Sequence, residues 1–116
     1  MKIDARHREG VTILEPKGKI TIGAGDVALR EAVHEALGAG AKNILVNLSG
    51  VTTIDSSGIG ELVSAFTTVA NRGGKLKLFN LPPKVSDILQ ITQLISVFDV
   101  FDDEAEALAS FVAKES

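Results

Sequence analysis

The feature that most constrains the fold is a change from a strand pattern to a helix pattern between residues 43 and 70. Asn43–Leu48 is a short apolar run followed by a Ser-Gly turn signal, which predicts a buried β-strand. Further on, apolar residues recur at helical spacing and predict the buried face of an amphipathic helix: Ile59, Leu62, Val63, Phe66, Val69 and Ala70. Asp55–Gly60 joins the two patterns, so its two serines are predicted to lie near a helix N-terminus.

The start of this predicted helix admits a structural and a functional interpretation. Its first four backbone N–H groups have no partner within the helix, and the helix dipole favours negative charge there. Ser57 or Ser56 could therefore act as the N-cap, or the site could receive a phosphate. Gly58 and Gly60 each cost up to about 1 kcal/mol relative to alanine. This cost indicates that another element or a partner protein approaches the backbone closely.

The rest of the chain alternates strand and helix patterns. Alternating residues from Ile3 to His7, a turn at Gly10 and the run Val11–Leu14 predict an N-terminal hairpin. Further strands are predicted at residues 19–22, 44–48, 76–79 and 97–101, with a bend or bulge at Pro16 and Gly18. Further helices are predicted after an Asp26 cap, after Pro82-Pro83, and from about Asp103 to Ala113. Repeated βα units predict an α/β fold: a mixed sheet with a parallel core, an antiparallel N-terminal edge and about four helices.

Composition favours a single small domain spanning residues 1–116. A chain of this length with 45% hydrophobic content can build one core. It has no apolar run near the ~20 residues that span a bilayer, and Met1–Asp4 shows no secretory signal, so a cytoplasmic protein without membrane insertion is expected. The formal charge of −3 and the lack of Trp and Tyr argue against direct nucleic-acid binding.

The sequence contains few residue arrangements that are typical of catalytic sites. Residues 23–28 match a loose dinucleotide-binding pattern, but the acidic ribose ligand expected about 20 residues later is missing, which favours a glycine-rich turn. No nucleophile-elbow pattern surrounds Ser56 or Ser57. His7 and His34 are the only histidines, and neither has a neighbour at metal-ligand spacing. We therefore expect no enzyme activity, catalytic residue, cofactor or metal, and one well-placed hydroxyl on which another enzyme acts.

The segment Asp55–Leu62, Asp-Ser-Ser-Gly-Ile-Gly-Glu-Leu, resembles the signature of STAS domains, and most closely that of bacterial anti-sigma factor antagonists. Three further segments follow the family's order, so the resemblance covers nearly the whole chain: Gly18–Ile22, Leu45–Leu48 and Val97–Phe101. The first serine of the family motif is the phosphorylated one, which implies Ser56 here. One position departs from the family, because many members carry an acidic residue where this chain has Thr21. Asp26 is the acidic residue that could compensate.

The resemblance implies a phosphorylation-controlled binding switch. The unphosphorylated domain would bind a partner that is both an anti-sigma factor and a serine kinase, and would thereby free a sigma factor. Phosphorylation of Ser56 would release the partner, and a PP2C-type phosphatase would reset the domain. The residues implied in partner binding are Thr21, Gly23, Asp26, Asp55, Ser56, Ser57 and Gly58.

Two functions of other classes stay open at this point. A STAS accessory subunit of an ABC-type membrane lipid-transport complex would have no phosphorylation cycle, and would keep its activity after Ser56→Ala. A small nucleotide-binding or hydrolytic enzyme would use Gly23–Gly25 or Ser56, and would bind ATP, GTP or NAD as the isolated domain.

Overall fold

The computed structural model of the protein describes residues 1–112, which contain six strands, four α-helices and one 3-10 helix. In chain order these are β1 (Lys2–Arg8), β2 (Val11–Ile20), α1 (Gly25–Gly38), β3 (Asn43–Asn47), β4 (Val51–Ile54), α2 (Ser56–Asn71), β5 (Lys75–Phe79), α3 (Pro83–Ile91), the 3-10 helix (Leu94–Val97), β6 (Val100–Phe101) and α4 (Glu104–Val112). No helix in this part of the chain combines the length and apolar character needed to cross a membrane.

The strands form one mixed sheet in the order β1-β2-β3-β5-β6. β1 pairs antiparallel with β2, whereas the β2–β3, β3–β5 and β5–β6 pairs are parallel. The first half of β2 pairs with β3; after a register shift between Gly18 and Lys19, its second half pairs with β4. This topology confirms the predicted α/β fold with a parallel core, an antiparallel N-terminal edge and four helices, and the shift confirms the predicted bulge.

Two apolar cores lie on opposite faces of the sheet, because successive strand residues point to opposite sides. The larger core lies under α1, α2 and α3 and includes Leu14, Val46 and Leu62, none of which is more than 1% exposed. The smaller core lies under α4 and consists of Val11, Ile13, Leu45, Phe79, Ala107 and Leu108. Both faces of the sheet are therefore covered, which suits its parallel strands.

The start of α4 is tied to β1 and β2 by ion pairs. Glu104 accepts hydrogen bonds from Arg6, at 2.6 Å, and from Arg8. Arg6 also donates to Glu15 at 3.0 Å, and Asn47 donates to the same carboxylate at 3.0 Å. The hydrogen bonds from Arg6 hold the pKa of both Glu104 and Glu15 below the ordinary value. We call Arg6, Arg8, Glu15 and Glu104 the α4 clamp.

Lys77 on β5 is a buried lysine beneath α4. Its Nζ donates to the Ser110 hydroxyl at 3.0 Å and to the Ser110 carbonyl at 3.2 Å, and it lies 4.7 Å from the centre of the Phe111 ring. The Asp99 carboxylate lies 3.7 Å from the same Nζ, so the buried ammonium is both hydrogen-bonded and paired with an opposite charge. Lys77 therefore links the centre of the sheet to the second half of α4.

Two predicted strands have wrong boundaries. β2 ends at Ile20, so Thr21 and Ile22 are loop residues; the chain turns here, and the Thr21 carbonyl accepts a hydrogen bond from the Asp26 N–H at 3.1 Å. The strand predicted at residues 97–101 is reduced to Val100–Phe101, because the segment before it forms the 3-10 helix.

Three further elements differ from the predictions. The strand predicted at residues 44–48 is β3, which begins and ends one residue earlier than predicted. No strand is predicted at the position of β4. The last helix begins at Glu104 instead of Asp103, and its predicted end at Ala113 lies outside the described residues. The helix after Pro82-Pro83 is confirmed, with Pro82 as N-cap and Val85 and Leu89 buried.

Candidate functional site

The candidate site lies where two parallel strands, β2 and β4, end and their chains enter α1 and α2. The loop between β2 and α1, residues 21–24, meets the first turn of α2 at this edge of the sheet. Backbone contact fixes the junction, since the Asp55 N–H lies 3.4 Å from the Ile20 carbonyl.

Asp55 is the N-cap of α2 and also binds the neighbouring loop. Its backbone is extended, and its Oδ1 accepts a hydrogen bond from the Gly58 N–H at 3.0 Å. Its Oδ2 accepts one from the Ile22 N–H, also at 3.0 Å. These two backbone hydrogen bonds hold the pKa of Asp55 below its ordinary value. The carboxylate therefore stays ionised at neutral pH and joins the β2–α1 loop to α2.

The prediction that Ser57 or Ser56 caps the helix is wrong, because Asp55 already occupies the capping position. Aspartate is as good an N-cap as serine, and its charge is also favoured by the helix dipole. Ser56 and Ser57 are instead the first two residues of α2. Ser56 is exposed, Ser57 is half-buried, and within residues 1–112 the Ser56 hydroxyl makes no hydrogen bond. The Ser56 oxygen is thus accessible and is not used by the fold.

Gly58 is required by internal packing. A Cβ at this position would lie 2.1 Å from the Ile20 carbonyl oxygen and 2.7 Å from Cγ1 of Ile54. The close approach predicted from this glycine is therefore made by the chain's own strand β2, and Gly58 is buried. The role of Gly58 in partner binding stays a prediction. Gly60, by contrast, is exposed and has open space where a side chain would begin, so an approaching protein would meet backbone there.

Asp26 closes the β2–α1 loop and does not cap α1. The N-cap is Ala24, which has no side-chain capping bond. Asp26 lies in the first turn of the helix, and its Oδ1 accepts hydrogen bonds from the N–H groups of Gly23, at 3.0 Å, and Val27, at 2.7 Å. Gly23 has a positive φ of 101°, which suits glycine in this tight loop. Loop geometry thus explains Gly23, whereas packing explains Gly25, because a Cβ there would lie 2.2 Å from the Lys19 carbonyl oxygen.

The structure brings together most of the residues predicted for the site. Thr21, Gly23 and Asp26 lie in or beside the β2–α1 loop, and Asp55, Ser56 and Ser57 lie at the start of α2. The hydrogen bond from Ile22 to Asp55 joins the two groups. His7 and His34 are exposed on β1 and α1, and no cluster of metal-ligating side chains occurs in residues 1–112.

Sequence reasoning misses Ile22, whose side chain is 74% exposed. The residue follows buried Ile20 at a spacing of two, so the pattern predicts a continuing strand. The signal that could have revealed it is Gly23, because glycine often marks a turn or an interruption of a strand.

Comparison with known proteins adds the decisive observation. A family model for the STAS domain matches residues 2–107. The chain belongs to the STAS domain family. Among its relatives, the anti-sigma-B factor antagonist of Bacillus subtilis is 30% identical over 100 residues, which cover 86% of this chain and 90% of that protein.

Several solved structures share the fold of this chain. A crystal structure from Thermotoga maritima is similar to this chain with a TM-score of 0.86 and 25% identity, covering 94% of this chain and 93% of that one. The Bacillus cell-fate determinant SpoIIAA in its phosphorylated form has a TM-score of 0.71 at 18% identity, covering 94% and 97%. Its unphosphorylated form also has a TM-score of 0.71.

Proposed function

We propose that this STAS protein is a cytoplasmic anti-sigma factor antagonist whose binding is switched by phosphorylation of Ser56. The observation that carries the proposal is the exposed Ser56 hydroxyl at the first turn of α2, beside a helix cap supplied by a different residue, Asp55. The fold does not need this hydroxyl, so it is free to be modified. The name of the 30% identical relative, an anti-sigma-B factor antagonist, supports the class of partner.

The partner that we propose is an anti-sigma factor that is also a serine kinase. In the modification step the Ser56 oxygen bonds to the γ-phosphorus of ATP, the bond from that phosphorus to ADP breaks, and the hydroxyl proton passes to a base on the kinase. A PP2C-type phosphatase would return the hydroxyl by hydrolysis. Between these steps the unmodified domain would hold the anti-sigma factor and leave the sigma factor free.

The electrostatics of the helix start explain how one phosphate could end binding without unfolding the domain. A phosphoserine carries nearly two negative charges at neutral pH, and the N-terminus of α2 favours negative charge. The fold should therefore tolerate the group. A partner surface packed over Ser56 should not, because it would have to desolvate the phosphate next to the ionised Asp55. The TM-score to SpoIIAA is 0.71 for both its unphosphorylated and its phosphorylated form, which is consistent with a fold that phosphorylation does not change.

Phosphosite mapping with matched serine variants tests the proposal. The kinase is identified by its retention on the tagged domain, made as a recombinant protein, and incubated with the domain and Mg-ATP. We expect phosphate on Ser56, none on the Ser56→Ala variant, and undiminished phosphate on the Ser57→Ala control. Ser56→Ala should still bind the kinase and should not be released by ATP. Phosphate confined to Ser57 contradicts the site. Full biological activity of Ser56→Ala, together with a co-purifying membrane ATPase, would favour a transport-complex subunit instead.

A further inference from the structure

Ile22 is an apolar side chain held in solvent beside the proposed phosphorylation site. It is 74% exposed, and its own N–H donates to Asp55, the residue directly before Ser56. We propose that Ile22 is an apolar anchor that inserts into a pocket of the protein partner, and that Asp55 positions it. The inference rests on the proposed function only for the location of the interface.

The loop that carries Ile22 is fixed on both sides. Before it, the Thr21 carbonyl accepts from the Asp26 N–H at 3.1 Å; after it, the Gly23 N–H donates to Asp26 Oδ1 at 3.0 Å. The third bond, from Ile22 to Asp55, holds the loop against α2. An exposed side chain on a fixed loop loses little freedom on binding, which is the property expected of an interface anchor.

The other exposed isoleucine provides a useful contrast. Ile91 is 80% exposed at the last residue of α3. Isolated apolar side chains on a surface are common and need no functional explanation. What distinguishes Ile22 is its backbone hydrogen bond to Asp55, the residue that directly precedes the exposed Ser56 at the start of α2. Ile91 therefore serves as the matched control residue.

Charge around Ile22 points to a protein with a basic rim around an apolar pocket. Two carboxylates, Asp26 and Asp55, lie in or against the loop that carries it. Arg30 on α1 is already paired with Glu61 at 3.4 Å. A two-fold contact with a second copy would bring these carboxylates together, and an anionic membrane surface would repel them. A partner of opposite charge fits the site better than either.

The positioning role of Asp55 is tested on the isolated domain. An asparagine side chain has one acceptor oxygen, so Asp55→Asn can keep one of the two hydrogen bonds that Asp55 accepts. We expect the variant to fold, and the Ile22 amide to exchange with solvent at least about tenfold faster, measured by NMR. Unchanged exchange at Ile22 would overturn the positioning role.

The anchor itself is tested by calorimetric titration with the recombinant kinase in the presence of Mg-ADP. Ile22→Ser should lower affinity about tenfold to a hundredfold, as expected for the loss of one buried isoleucine. Ile22→Leu should restore most of it, and Ile91→Ser should bind like the unmodified domain. In the Ile22→Ser background, Asp55→Asn should have a smaller effect than alone.

Equal binding of Ile22→Ser and the unmodified domain would overturn the anchor even if Ser56 is phosphorylated. Suppose that the protein retained on the tagged domain is not a kinase, and that the single substitution Ile22→Ser abolishes its retention. The anchor is then supported, and the phosphorylation switch is contradicted. The two failures are thus distinguishable.

Discussion

At the scale of single residues, the two glycines of the serine motif have opposite surroundings. Gly58 lies against the Ile20 carbonyl, whereas Gly60 faces open space. We expect Gly58→Ala to lower the free energy of unfolding by about 1–3 kcal/mol, because the added Cβ meets backbone that cannot move aside. The control, Gly60→Ala, should raise it by up to about 1 kcal/mol through helix propensity. Urea unfolding of both variants checks the pair, and a stabilised Gly58→Ala would contradict the packing described for α2.

The contribution of Asp55 to the stability of the domain should depend on pH. Backbone hydrogen bonds lower its pKa from the ordinary value of 3.8, so its stabilising contribution is present above that value and is lost as pH falls through the lower pKa of the folded state. Asp55→Asn should remove this part of the pH dependence. Thermal melts of both proteins from pH 7 to pH 2 measure it. Parallel curves for the two proteins would show that Asp55 contributes nothing to acid unfolding.

The residues of the site are predictable from sequence, but their roles are not. The motif indicates correctly that Asp55, Ser56 and Ser57 lie at a helix start. It cannot show which of three good capping residues takes the cap, because that depends on backbone angles fixed by β4 and on the second hydrogen bond to Ile22. The packing of Gly58 against Ile20 joins two residues that are distant in the chain, a contact that local spacing does not reveal.

At the scale of elements, α4 depends on its clamp of charged residues. Since Arg6 lowers the pKa of Glu104, the clamp should be intact above the ordinary carboxyl value of 4.5 and weaken as pH falls through the lower pKa of the folded state. We expect Glu104→Gln to cost about 1 kcal/mol at pH 7, a modest value because these groups are partly exposed. The difference from the unmodified protein should be smaller at pH 2 than at pH 7. Urea midpoints at both pH values measure it, and Glu106→Gln, outside the clamp, is the control.

Element predictions succeed where periodicity is long and fail where elements are short. The sixteen residues of α2 and the hairpin of β1 and β2 carry enough repeats to be recognised. β4 has four residues, two of them threonine, and lies between two turn-rich segments, so it shows no clear alternation. β6 keeps only Val100–Phe101; Val97, the first residue of the predicted strand, ends the 3-10 helix and packs against the core there.

At the scale of the whole molecule, a negative charge at position 56 should separate stability from binding. Ser56→Asp should melt close to the unmodified domain, since the helix N-terminus favours a negative charge by about 0.3–1 kcal/mol. Its affinity for the kinase should fall at least about a hundredfold, because a carboxylate desolvated in an interface costs several kcal/mol. Thermal melts and calorimetry measure the two effects, with Ser56→Ala as the uncharged control. Equal affinities for Ser56→Asp and Ser56→Ala would remove the electrostatic basis of the switch.

The position of β1 at the edge of the sheet has a consequence for self-association. An edge strand offers unpaired backbone groups to other chains, and charged side chains discourage such pairing. Four of the seven residues of β1 are charged: Lys2, Asp4, Arg6 and Arg8. Both arginines also hold Glu104, so the residues that fasten α4 are the same ones that keep the strand from templating aggregates. Acid that weakens the clamp would leave this edge more strongly cationic, and the unfastened protein would then be kept dispersed by its own charge.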